Sequence, residues 1–99
     1  MSIIRHNSII VTGYDKNVNK TRTKAKEMGL LVSNIVKSHT NGYLSYFIAP
    51  DGSKEGWSTS NEFNDLREEF IKYLDGKHVN FVELISYDED GQPKILNHG

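Results

Sequence analysis

The stretch Asn41-Gly42-Tyr43-Leu44-Ser45-Tyr46-Phe47-Ile48-Ala49-Pro50-Asp51-Gly52 carries the reading on which the fold turns. Asn-Gly tolerates positive φ at both positions, so Asn41-Gly42 is the strongest hairpin signal in the chain. The residues after it alternate: Leu44, Tyr46 and Ile48 share one face, and Tyr43 and Phe47 take the other. Pro50-Asp51-Gly52 then closes the strand as a tight turn. Leu31 to Lys37, just before the Asn-Gly pair, supplies the first arm of the hairpin.

Outward from the hairpin, two helices and two more strands follow from periodicity. Ser8-Ile9-Ile10-Val11-Thr12 is rich in β-branched residues, is apolar on both faces, and is expected to be a central strand. Asp15 stands where a cap is needed, and Val18, Thr21, Ala25 and Met28 recur at helical spacing before Gly29. Thr59 and Glu62 fit a capping box. Phe63, Leu66, Phe70, Tyr73 and Leu74 then make an apolar stripe that stops at Gly76. Val79 to Tyr87 reads as the last strand, with Asp88-Glu89-Asp90-Gly91 as a turn. The order is β-α-β-β-α-β, which predicts an α+β, ferredoxin-like fold: a four-stranded antiparallel sheet with two helices on one face. Residues 1–99 form one domain, with 90–99 a flexible or edge-strand tail. The strands carry apolar residues on both faces, so a homodimer packed through the open sheet face is expected.

Composition narrows the function classes. The chain has 99 residues, 36% hydrophobic and 25% charged, with a net charge of −1. No global field favours nucleic acid or an anionic membrane. There is no cysteine, which excludes disulfides, thiolate catalysis and zinc–thiolate sites. The start, Met1-Ser2-Ile3-Ile4-Arg5-His6, does not read as a signal peptide, and no segment approaches the roughly 20 apolar residues of a membrane span. A cytoplasmic protein is expected.

Familiar catalytic and metal motifs do not emerge. His6, His39, His78 and His98 form no helical i, i+4 pair, and the 88–91 turn lacks the spacing of a calcium loop. No Gly-x-Ser-x-Gly elbow marks a nucleophile. RNA recognition on such a sheet needs stacking aromatics, and Ile9, Ile10, Val11 and Ser45 occupy those places. The first helix carries Lys16, Lys20, Arg22, Lys24 and Lys26, and the second carries Glu62, Asp65, Glu68, Glu69 and Asp75. The plain reading of both is a solvated face, and the sharper reading of the first is a phosphate-attracting surface. The segment from Pro50 to Ser60 joins a strand to a helix start and contains the single tryptophan. Helix-start amides beside a lysine suit an anion, so Ser53, Lys54, Glu55, Gly56, Trp57, Ser58 and Ser60, with Tyr43, are candidate ligand-binding residues. Trp57 is open to two readings, a stacking platform or a core plug. A turn followed by a capping box is the plainer account of the segment.

The run from Asn41 to Trp57, with its Pro50-Asp51-Gly52-Ser53-Lys54-Glu55-Gly56-Trp57 end, resembles a family of small uncharacterised bacteriophage and prophage proteins. The opening His6-Asn7-Ser8-Ile9-Ile10-Val11-Thr12, the segment Phe70-Ile71-Lys72-Tyr73-Leu74 and the last strand with its acidic end share in the resemblance. Two departures are Asn61, Asn64 and Asp65 where that family often has an aspartate pair, and Phe81 where it often has tryptophan. The resemblance implies a small phage protein acting in the host cytoplasm, non-enzymatic and without a cofactor. It would bind a small nucleotide-like signal to counter a host defence. Two alternatives stand beside this one: a module that inhibits a host protein, and a small enzyme acting on a phosphorylated ligand, with Lys54 as clamp and Glu55 as acid or base.

Overall fold

A computed structural model describes residues 4–53, 56–87 and 92–99. The elements are β1 (Arg5–Tyr14), α1 (Asp15–Glu27), β2 (Val36–Lys37), β3 (Tyr43–Ile48), α2 (Ser58–Leu74), β4 (Asn80–Tyr87) and β5 (Lys94–His98). The sheet order is β2-β3-β1-β4-β5, and every neighbouring pair is antiparallel. The expected βαββαβ order is present, but the sheet has five strands rather than four. The fifth is the C-terminal segment, which pairs along β4 as an edge strand.

Local chemistry explains most element boundaries. Asn41 and Gly42 both have positive φ, 63° and 66°, so the Asn-Gly turn forms as its backbone tolerance dictates. The first arm of that hairpin is shorter than predicted. Only Val36 and Lys37 pair as a strand, while Val32 makes an isolated bridge to Ile48. Helix α1 ends in a Schellman arrangement: the Leu30 N–H donates to the Ala25 carbonyl, the Gly29 N–H donates to Lys26, and Gly29 takes φ 86°. The predicted caps do not form. Tyr14 and Trp57 occupy the N-cap positions without a side-chain cap to the helix, leaving Asp15 and Thr59 inside the helices. Asp15 accepts from the Asn19 side chain instead. The acidic turn at 88–91 lies outside the described residues.

Both helices cover the same sheet face. Val18 and Ala25 of α1 and Phe70 and Leu74 of α2 pack with Ile9 and Val11 of β1 and Leu44, Tyr46 and Ile48 of β3. Strand β1 is central, as its two apolar faces predict, and the alternation along β3 sorts its residues as expected. Tyr46 carries its hydroxyl into this core and donates to Thr21 Oγ1 at 2.8 Å. Burial pushes that phenol up to about 12. The opposite sheet face leaves Ile10 and Phe47 exposed. The homodimer through that face is therefore kept as a proposal. Light scattering should give twice the 11.3 kDa chain mass, and a monomer mass would remove it.

One polar residue interrupts the apolar face of α2. Arg67 is 2% exposed, and its guanidinium donates to Asp51 Oδ1 at 3.0 Å and to Asn64 Oδ1 at 2.8 Å. Asp51 also accepts from the Ser53 hydroxyl and backbone. This pair ties the loop after β3 to the middle of α2. Burial pushes the Asp51 carboxyl up, but donation from Ser53 and Arg67 outweighs it, so the group lies below its ordinary value of 3.8. A depressed carboxyl stabilises the fold above the unfolded value and loses that contribution as pH falls through the folded one. Removing one member of a buried ion pair strands the other, at about 3–5 kcal/mol. We therefore expect Arg67→Ala to lose about that much in urea melts at pH 7, whereas Asp51→Leu/Arg67→Met should lose much less. The gap between parent and Arg67→Ala should narrow at pH 3. Equal losses in both variants would show that the pair itself, rather than the stranded charge, matters.

Candidate functional site

The side chains that break the apolar pattern gather at one end of the covered sheet face. On β1 the inward row runs Asn7, Ile9, Val11, Gly13, and Asn7 is 3% exposed. On β4 the inward pair is Glu83 and Ile85, and Glu83 is 5% exposed. The register sets Ile9 opposite Glu83 and Asn7 opposite Ile85, so the two polar residues are diagonal neighbours on one face. Helix α2 contributes Asn64, Glu68, Ile71 and Lys72, whose i, i+4, i+7 and i+8 spacing puts them on one side. Strand β5 closes the far wall. The register shifts between Glu83 and Leu84, leaving Leu96 as the extra residue of a bulge. Consecutive residues of a regular strand point to opposite faces, but across this bulge Leu96 and Asn97 line one space.

The result is a cleft of about 420 Å³ between α2, β1, β4 and β5, with Arg5 at its edge. Among the described residues its lining holds two cations, Arg5 and Lys72, and two carboxylates, Glu68 and Glu83, so their formal charges balance. Arg5 donates to Asn64 Oδ1, the same oxygen that accepts from Arg67. Asn97 donates to Glu83 Oε1 at 2.7 Å. The Oδ1 of Asn7 is buried and has no hydrogen-bond partner among the described residues. An unsatisfied buried acceptor costs about 1–3 kcal/mol, and such atoms in native folds call for an explanation. A second hollow of about 510 Å³ lies on the open sheet face beside Ile10, Val36 and Phe47, and no charged side chain among the described residues lines it. A ligand site needs convergent polar groups in an enclosed hollow, and the cleft meets that description better.

None of the described residues of the loop expected to bind a ligand lines this cleft. Ser53 is buried, with its hydroxyl on Asp51, and Ser60 is buried on the inner side of α2. Gly56 and Ser58 are exposed at the helix start, and Lys54 and Glu55 lie outside the described residues. Tyr43 sits at the other end of β3, stacked on Tyr14 at 4.8 Å between centroids. Six residues of strand separate it from the loop by roughly 20 Å. Trp57 is 53% exposed, which removes its reading as a core plug. Among the described residues no group of three histidine or carboxylate side chains could hold a metal. No described helix is long and apolar enough to cross a membrane.

The cleft residues were missed in the sequence, yet a signal existed. Asn7, Glu83 and Arg67 each occupy an inward position in an otherwise apolar row.

No protein-family model matches the chain. No curated protein matches it either. Among solved structures it is similar to a phage SAM lyase in complex with S-methyl-5'-thioadenosine, at TM-score 0.39 and 11% identity, over 97% of this chain and 87% of that one. A likeness this slight transfers neither activity nor ligand. That structure is of an enzyme, and the expectation of a non-enzymatic protein is not carried forward. The lack of a familiar motif does not exclude catalysis.

The exposure of Trp57 leads to a direct expectation. Trp57→Ala should stay folded and lose about 1 kcal/mol or less in a thermal or urea melt. A loss of about 3–5 kcal/mol, the range for a buried aromatic, would return Trp57 to the core.

Proposed function

We propose that this is a phage-type protein that captures a small nucleoside-like molecule in the cleft between α2, β1, β4 and β5. The observation that supports it is the buried, incompletely satisfied polar lining of that cleft, above all the Asn7 Oδ1 without a partner. A volume of about 420 Å³ falls within the range of small-molecule sites. Ile71 and Leu96 offer apolar surface to a ring, and the amides and carboxylates offer donors and acceptors to its polar edge and to sugar hydroxyls. The balanced charge of the lining disfavours a polyphosphate chain, which would need an excess of cations. Withdrawal of such a molecule from a host defence is the biological role that fits the resemblance to phage proteins. It is the same role as first read for the chain, moved from the Ser53–Ser60 loop to the cleft.

Calorimetric titration with the common ribonucleosides and their monophosphates tests the reading. At least one nucleoside should bind saturably with one site per chain. In NMR spectra the side-chain amides of Asn7, Asn64 and Asn97 should shift, while the backbone amides of Ser58 and Ser60 should not. Leu96→Ala, at an exposed bulge, should leave the fold intact and weaken binding by roughly three- to tenfold, the equivalent of a partly buried apolar group. Shifts confined to Ser58 and Ser60 would favour the loop. No saturable binding of any nucleoside would remove the proposal.

A further inference from the structure

The floor of the cleft is unusually rich in acceptors. Its two most deeply buried polar groups are the Glu83 carboxylate and the Asn7 side-chain amide. Glu83 accepts one hydrogen bond, from Asn97, which leaves most of its acceptor capacity unused among the described residues. Asn7 Oδ1 accepts none. The two lie on adjacent strands, diagonal to one another, and both face the same hollow. The donor-rich residues, Arg5 and Lys72, stand at the start of β1 and on α2, and Arg5 is already engaged by Asn64. A buried carboxylate with one partner and a buried carbonyl with none are both relieved by the same thing, an N–H donor brought in from outside.

We propose that Glu83 and Asn7 together read an amino group, so that the cleft takes amino-bearing nucleosides in preference to their oxo counterparts. This rests on the nucleoside reading given above and deepens it. An exocyclic amine carries two N–H donors, one for the carboxylate and one for the Asn7 carbonyl. Replacing it by a carbonyl oxygen sets an acceptor against two acceptors, and the buried Asn7 oxygen stays unsatisfied. A site built on hydrogen bonds therefore rejects the oxo analogue more strongly than an apolar pocket could. The orphaned Asn7 oxygen is then a cost carried by the empty protein and recovered on binding.

Matched pairs test this without change of size: adenosine against inosine, and cytidine against uridine, titrated into the full chain. At least one amino nucleoside should bind roughly ten- to a hundredfold more tightly than its oxo partner. Glu83→Gln keeps the shape and removes the charge, and the preference should shrink to about threefold or less. Asn7→Leu removes the orphaned acceptor. It should melt at or above the temperature of the parent, by up to about 4–8 °C, while losing the preference. Equal affinity within both pairs overturns the amine reading and leaves the nucleoside site standing. A preference that persists in folded Glu83→Gln and Asn7→Leu proteins also overturns it. No binding by any of the four nucleosides overturns both.

Discussion

The Arg67–Asp51 ion pair is the constraint on which the arrangement of this protein depends. It is nearly sealed from solvent, with side chains 2% and 3% exposed, so neither charge can be left without the other. Asp51 sits where β3 has ended, and Arg67 sits in the middle of α2. Their contact therefore fixes how the helix lies over the sheet. Arg67 reaches Asn64 as well, and Asn64 is held by Arg5 from the start of β1. One network thus runs from the loop after β3, through the helix, to the central strand. The cleft opens beside that network and shares Asn64 and Arg5 with it. A rigid rim follows from a buried structural pair, without any separate device.

The inner face of the sheet has two chemistries. Towards one end it is apolar, and Ile9, Val11, Leu44, Tyr46 and Ile48 bury against α1 and α2. Towards the other end the same inward rows continue with Asn7 and Glu83. A purely structural sheet would carry apolar side chains there, since burying polar groups costs free energy unless each is paired. In a chain of 99 residues the margin of stability is small, so an incompletely satisfied polar end is a cost that the proposed cleft ligand would offset. The bulge in β5 agrees, because it turns two consecutive residues towards one hollow where a regular strand would offer one.

The loop from Pro50 to Trp57 shows how a segment read as a ligand site can also carry structural work. Its glycines, hydroxyls and helix-start position do suit an anion. In the fold, however, Asp51 and Ser53 are spent on Arg67 and on each other. The expected capping box is likewise absent, because the helix begins at Ser58 and Thr59 lies inside it.

The sequence by itself determined the elements whose causes are local. The Asn41-Gly42 turn, the alternation in β3, the Val18-Thr21-Ala25 face of α1 and the stop at Gly29 all follow from backbone tolerance and periodicity within a few residues. It also held the interruptions at Asn7, Arg67 and Glu83, but as isolated polar residues with nothing to join them. Only the tertiary structure decided that Asn7 and Glu83 are diagonal neighbours. It alone made β5 a fifth strand with a bulge at Leu96, and it alone gave Arg67 its partner sixteen residues back. Those facts depend on strand register and helix docking, which are set by contacts between distant segments. Pairing of that kind is an outcome of burying the whole core at once, and no short window of sequence contains it.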